Sequence, residues 1–314
     1  MLIAADFDGT IAQTFVPSPN NIGIYQAYRL ACGNVFGREG ARLYDEIGGI
    51  NSSAPIELVK ALLEAGSQKI LIRNAKAFLN RKREHLRGFV PEGKGASLEW
   101  NQEDPLLVVT ETLVREKMRW FWDEIGAHFA DGRIWPQPCT GFLEFYRTLL
   151  VCAGSYCSGD VHLALGIVSS GHDYFIRRCF EAWGFPCPDL LVTDDLMRSP
   201  RCSHFLLEEK VKPGVGPFQM MRTEWQQRFG NELREGAALY VGDSLKTDGA
   251  FALNIGLPFV WFNPEGQNQP SSVGGDVVPI SDWRELTPFL HSSVVARVQK
   301  GLPLSLVVHE VLGR

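Results

Sequence analysis

The chain has 314 residues, 45% hydrophobic and 21% charged, with a formal net charge of −5, a composition that excludes a disordered chain and leaves room for one large or two ordinary domains. So mild an acidity exerts no pull toward nucleic acid or an anionic membrane surface. No run of about 18 apolar residues is present that could cross a bilayer, the N-terminus lacks the basic and apolar regions of a secretory signal, and seven scattered cysteines, an odd number, suit reduced thiols; the expectation is a soluble, cytoplasmic protein.

The first predicted element is a strand, Ile3-Ala4-Ala5, that runs into Asp6-Phe7-Asp8-Gly9-Thr10. Residues two apart in an extended chain share a face, so Asp6 and Asp8 would stand together at the strand's carboxyl end, where open α/β sheets bind ligands. Two acids there repel each other unless a cation or a shared proton intervenes. Gly9 permits a sharp turn after them.

Pro17-Ser18-Pro19-Asn20-Asn21 then breaks the chain, and from about Phe15 to Arg133 the sequence reads as helix after helix. Asn51-Ser52-Ser53 is a cap for a helix that has Pro55 in its first turn and stops at Gly66. A second helix spans about Lys69 to Arg87, and its many Lys and Arg read either as a solvated face or as a surface for a multiply anionic substrate. A third spans about Leu106 to Phe129. Leu107, Val114, Met118, Phe121, Ile125 and Phe129 fall on its apolar stripe, with the pairs Glu111/Arg115 and Arg119/Asp123 elsewhere.

From Trp135-Pro136-Gln137-Pro138 onward strand and helix alternate, the signature of a parallel sheet. Predicted helices cover 141–150, 172–183, 218–229, 249–254 and 282–290. Predicted strands cover 163–169, 190–193, 237–241 and 258–262, with an edge strand at 277–280. Residues 152–160, rich in Gly and Ser, read as a surface loop, and the apolar tail 294–314 fits no single pattern. The helical block interrupts the alternation directly after the acidic strand, so that strand belongs to the same sheet and the block is an insertion. The expected fold is α/β, a three-layer, Rossmann-like, mainly parallel sheet formed by residues 1–15 and 134–314, with an all-helical domain inserted at 16–133.

Further candidate residues fall at predicted strand ends. Ser169, in Gly166-Ile167-Val168-Ser169-Ser170-Gly171, precedes a helix whose N-terminal N–H groups are open to an anion. Lys212-Pro213 lies in a loop. In Tyr240-Val241-Gly242-Asp243-Ser244-Leu245-Lys246-Thr247-Asp248 one acid ends a strand and another follows five residues on. Singly, these are a turn, a solvated lysine and an ordinary Gly-Asp-Ser loop. Jointly, Asp6, Asp8, Asp243 and Asp248 would make a carboxylate cluster for a hard divalent cation, and oxygen ligands with an expected phosphate favour Mg²⁺.

Asp-Phe-Asp-Gly-Thr, the strand-end Ser169, Lys212-Pro213 and Gly-Asp-Ser-(x)₃-Asp together resemble, in order and spacing, the four motifs of the haloacid dehalogenase superfamily. The resemblance is to its phosphatase branch, phosphoglycolate phosphatase-like, with an inserted helical cap of the C1 type. It implies a phosphomonoester hydrolase. Asp6 would be the nucleophile that forms an aspartyl-phosphate, and Asp8 the general acid and base. Ser169, Lys212 and the Ser170 N–H would hold phosphoryl oxygens. Asp6, the Asp8 backbone carbonyl, Asp243 and Asp248 would serve Mg²⁺. The implied partner is a small phosphorylated metabolite. A halide leaves without protonation, so Asp8 argues against a dehalogenase, and the phosphonate hydrolases of the family lack that second acid. A capped sugar-phosphate mutase retains both acids and is the first alternative. A non-catalytic phospho-ligand-binding protein, which would be expected to have lost a motif residue, is the second.

Overall fold

The computed structural model describes residues 1–15, 23–49, 55–87, 98–100, 104–120, 136–156, 162–234, 236–267 and 277–313. The chain divides into two compact units, one of residues 1–13, 137–197 and 201–314, the other of residues 14–136 with 198–200. Among the described residues no helix is long and apolar enough to cross a membrane.

The chain opens with β1 (Leu2–Ala5), buried along its whole length. The second unit follows, with helices α1 (Gly23–Phe36), α2 (Arg38–Glu46), α3 (Pro55–Ala65), α4 (Gln68–Arg87) and α5 (Pro105–Arg119). Their shared core includes Val35, Phe36, Leu62, Leu71, Leu79 and Leu113. Asp104 caps α5 through the Leu107 N–H, with Pro105 at its first position.

Of the stripe expected on α5, Val114 and Met118 are buried and Leu107 is not. Val108 through Met118 are buried on every side, whereas Leu107 is 40% exposed. The Glu111–Arg115 pair, expected away from the core, is itself buried at 2.6 Å. A helix that buries charge can do so when each acid has a base one turn away. Arg119 likewise takes Glu116 at 2.8 Å. On α4, Arg83 and Arg87 reach Glu99, and the Lys76 ammonium lies over the Trp100 ring, so part of that basic face is already neutralised. The Asn51-Ser52-Ser53 cap and Phe121, Asp123, Ile125 and Phe129 lie outside the described residues.

The first unit resumes with α6 (Phe142–Tyr156), then β2 (Ala164–Val168), α7 (Asp173–Ala182), β3 (Leu190–Val192) and α8 (Asp194–Arg198). It continues through α9 (Gly216–Phe229), β4 (Ala238–Gly242), α10 (Ala250–Asn254), β5 (Phe259–Phe262), β6 (Val277–Ile280), α11 (Ser292–Gln299) and α12 (Leu304–Leu312). The six strands form one parallel sheet in the order β3-β2-β1-β4-β5-β6. Strands such as Leu-Ile-Ala-Ala and Phe-Val-Trp-Phe are apolar throughout, as strands covered on both faces must be. The chain winds from β1 outward to β3, then returns to begin the other half at β4. The crevice at the carboxyl ends of β1 and β4 is therefore the topological switch point, where ligands bind in sheets of this kind.

Alternate strand residues serve the two faces. Leu2 and Ala4, with Val168, Ala238 and Tyr240, pack on Phe218, Met221 and Trp225 of α9 and on Phe251. A second layer is aromatic, with Phe7 against Phe175, Phe180 and Trp183, and Trp283 against Phe142 and Phe145.

Two expectations need correction. Helix α6 runs through Tyr156 into the stretch read as a loop, because Ser155 Oγ bonds back to the Val151 carbonyl at 3.0 Å and so is satisfied inside a helix. The ambiguous tail folds into α11 and α12, tied by a bidentate Arg297–Glu310 pair at 2.7 Å and by the Leu304 N–H on the Gly236 carbonyl at 2.8 Å.

Candidate active site

The site is assembled from four strand ends and the loops that leave them. The ladder continues one residue past β1, since the Asp6 N–H bonds to the Val241 carbonyl at 2.9 Å. The chain then turns. Gly9 has φ 79°, a region closed to most side chains, and the Phe7 carbonyl accepts from both the Ile11 and Ala12 N–H groups at 2.9 Å. Trp283 Nε1 donates to the Thr10 carbonyl at 2.7 Å and braces this turn from the far edge of the unit. Asp243 is braced in the same way, its carbonyl accepting from Trp261 Nε1 at 2.9 Å.

Asp6 is 7% exposed and Lys212 8%. Lys212 Nζ donates to Asp6 Oδ1 at 2.5 Å, to Asp248 Oδ1 at 2.7 Å and to the Tyr240 hydroxyl at 3.1 Å, which uses all three of its N–H groups. Tyr240 in turn donates to Asp248 Oδ1 at 3.1 Å, and the other Asp248 oxygen accepts from the Ser244 N–H at 3.1 Å. Gly242 makes room for this acid: a Cβ there would stand 2.4 Å from the Cβ of Asp248.

Burial raises the Asp6 carboxyl well above the ordinary carboxylate range; Lys212 opposes the rise, while Asp248, Asp243 and Asp8 add to it. Burial, then the charge of Asp248, raises Asp243 to about 7. Burial works against charge on Lys212, but Asp248 and Asp6 outweigh it and hold the ammonium well above its usual range. Asp6, Asp243 and Asp248 thus share one lysine, and all three can ionise together only beside a further cation.

The donor set fits one. Carboxylate oxygens of Asp6, Asp243 and Asp248 lie within 4.8 Å of one another. Two oxygens on one Mg²⁺ or Ca²⁺, at about 2.0–2.6 Å each, are at most about 5 Å apart. All three donors are hard oxygens, which suits Mg²⁺.

The Asp8 carboxylate does not join this trio. It accepts from the Ser169 hydroxyl at 3.5 Å, and that hydroxyl oxygen accepts the Gly171 N–H at 2.9 Å. Ser169 is buried, and its N–H bonds to the Val192 carbonyl at 3.0 Å; Ser170 beside it is half-buried. The structure therefore divides the expected residues into an Asp6–Lys212–Asp243–Asp248 cluster and an Asp8–Ser169 pair. Lys212, expected to serve phosphate, is spent on carboxylates and a phenol. The residue that sequence reasoning missed is Tyr240. Its signal was a hydroxyl on a fully apolar strand, at the alternate position before Gly242, where a buried phenol needs a partner.

No family model and no curated protein matches the chain. Solved structures of similar shape include a HAD phosphatase from Thermococcus onnurineus, at 18% identity over 92% of this chain and 97% of that one, with a TM-score of 0.44. A Bacillus subtilis protein described as a HAD-hydrolase bound to magnesium shares 18% identity over 92% and 97% of the two chains, with a TM-score of 0.42. A 2-haloacid dehalogenase from Pseudomonas syringae pv. Tomato DC3000 shares 18% over 95% and 98%, also with a TM-score of 0.42. Likeness at this level adds nothing to the sheet order already described. What that order and the site define is a Rossmann-like α/β protein with a carboxylate cluster at its switch point.

Proposed function

We propose that the protein is a Mg²⁺-dependent phosphomonoester hydrolase of the haloacid dehalogenase superfamily, acting on a small phosphorylated metabolite through an aspartyl-phosphate. The observation that carries this reading is the separation of two acids only two residues apart. Asp6 is buried and held by Lys212 among carboxylates, whereas Asp8 is half-buried and bonded to Ser169. One environment suits a fixed nucleophile and the other a group that exchanges protons.

An Asp6 carboxylate oxygen bonds to phosphorus as the ester P–O bond breaks, and Asp8 gives its proton to the leaving oxygen. Asp8 then takes a proton from the water that attacks the phosphorus of the aspartyl-phosphate, which frees inorganic phosphate and restores Asp6. The Ser169 hydroxyl, the Ser170 N–H and Lys212 hold the phosphoryl oxygens. Because every Lys212 N–H is engaged, a phosphoryl oxygen has to replace one partner, and Tyr240 is the neutral one. Asp6, Asp243 and the Asp8 carbonyl, seconded by Asp248, would hold Mg²⁺, which supplies charge neutralisation between nucleophile and phosphate.

A panel of phosphorylated metabolites tests the reading. Inorganic phosphate should appear with Mg²⁺ present and stop appearing in excess chelator. Full activity in chelator would remove the metal role, and phosphate returned to a sugar instead of released would make the protein a mutase. Release of halide from a 2-haloacid, with no phosphomonoester cleaved, would overturn the reading altogether.

A further inference from the structure

The turn that carries Ser169 is gripped from the neighbouring strand end by residues to which the reaction above gives no role. Asp195, the second residue of α8, accepts from His172 Nδ1 with one oxygen and from the Asp173 N–H with the other, each at 2.9 Å. Pairing with a carboxylate puts the ring proton on Nδ1. Backbone bonds close the same seam, Asp194 N–H to the Gly171 carbonyl at 3.3 Å and Ser169 N–H to the Val192 carbonyl at 3.0 Å. Residues 169–173 and 192–195 are thus joined along their whole length.

Both side chains are buried, His172 at 4% and Asp195 at 9% side-chain exposure. His172 occupies the N-cap position of α7, yet its side chain makes no capping bond; the cap comes from Asp195, across the seam. A local Ser or Asp at that position would have satisfied the helix end alone. A carboxylate that grips two consecutive residues from another strand end does more: it sets the pitch of the turn. Within that turn Ser169 Oγ, fixed by the Gly171 N–H, faces Asp8.

We propose that Asp195 and His172 are positioning residues that hold the Ser169 turn in the shape that receives the phosphoryl group. The inference rests on the phosphatase reading and assigns neither residue a contact with substrate. Its signature is a selective effect, because Asp195 grips His172 and Asp173, on the phosphate side of the site.

The experiment uses the full chain and reads two constants, inhibition by inorganic phosphate and half-saturation by Mg²⁺, well below the melting temperature. Asp195→Ala should raise the phosphate inhibition constant and KM about tenfold, the scale of one charge-assisted hydrogen bond, with Mg²⁺ half-saturation unchanged. Asp195→Asn keeps an acceptor for the Asp173 N–H and should recover most of the loss. Should the alanine protein fail to fold, His172→Phe fills the same volume, loses only the Nδ1 contact, and should raise the phosphate constants about threefold. Phosphate and Mg²⁺ constants that move together, or phosphate constants that do not move in a protein whose parent hydrolyses phosphomonoesters, would overturn the inference alone. A parent that neither cleaves phosphomonoesters nor responds to phosphate would overturn the phosphatase reading, and the inference with it.

Discussion

Both units of this protein bury charge, and they do it in opposite ways. In the helical unit Glu111 has Arg115 four residues away on α5, with Arg198 at 3.8 Å, and Glu116 has Arg119 three residues away and Asn34 at 2.6 Å. Bases match or outnumber acids, and each acid has a base within one helical turn. In the sheet unit Asp6 and Asp248 share the ammonium of Lys212, which is 206 residues from Asp6, while Asp243 and Asp8 add further acids beside them. Buried charge as such is therefore no sign of chemistry. A deficit of countercharge, assembled from distant parts of the chain at great cost in desolvation, is such a sign.

The contrast breaks first at the nucleophile. Asp6→Asn keeps the shape and removes the attacking carboxylate, so turnover should fall on the order of 10⁴- to 10⁶-fold, with no covalent intermediate detectable by mass spectrometry after acid quench. Asp8→Asn keeps the nucleophile and loses the proton donor, a loss of about 10²–10⁴-fold on alkyl phosphates. The loss should be smaller on an aryl phosphate, whose leaving group needs little help, and the intermediate should then accumulate. Equal losses on both substrate types would erase the division of labour between the two acids.

Removing one base from each unit sharpens the comparison. Lys212→Met leaves Asp6 and Asp248 buried without their base, at a cost of about 3–5 kcal/mol, or roughly 10 °C in melting temperature. Arg115→Met leaves Glu111 the more distant Arg198 at 3.8 Å and should cost less. Added Mg²⁺ should restore much of the loss for Lys212→Met and none for Arg115→Met. Equal rescue would mean that the sheet cluster has no special demand for a cation.

The smallest effect is on pH dependence. With its carboxyl raised from 3.8 to about 7, Asp243 binds its proton more tightly in the folded chain than in the unfolded one. Without a bound cation it therefore contributes stability that is full below about 4 and is lost as pH rises through about 7. The difference in melting temperature between the parent and Asp243→Asn, followed in chelator, should shift by about 5 °C across that window. Saturating Mg²⁺ should flatten the parent's slope, because the ligand carboxylate is then held ionised. A difference that stays constant from pH 4 to pH 8 would show that Asp243 is not raised.

What the sequence determined by itself is whatever rests on local periodicity and local turn chemistry. The apolar runs at β1, β2, β4 and β5, the α/β alternation and the parallel sheet were legible there, and so was the position of Asp6, Ser169 and Asp243 at strand ends. A strand's side-chain alternation and a glycine's turn are written within a few residues. Only the tertiary structure decided what those residues touch. It sent Lys212 to Asp6, Asp248 and Tyr240, drew Asp8 away to Ser169, and set Asp195 against the Ser169 turn. It also carried α6 past its expected end and buried the Glu111–Arg115 pair that periodicity had put outside. These outcomes depend on sheet order and on the packing of helices far apart in the chain, where a partner is selected by burial and charge balance and not by spacing.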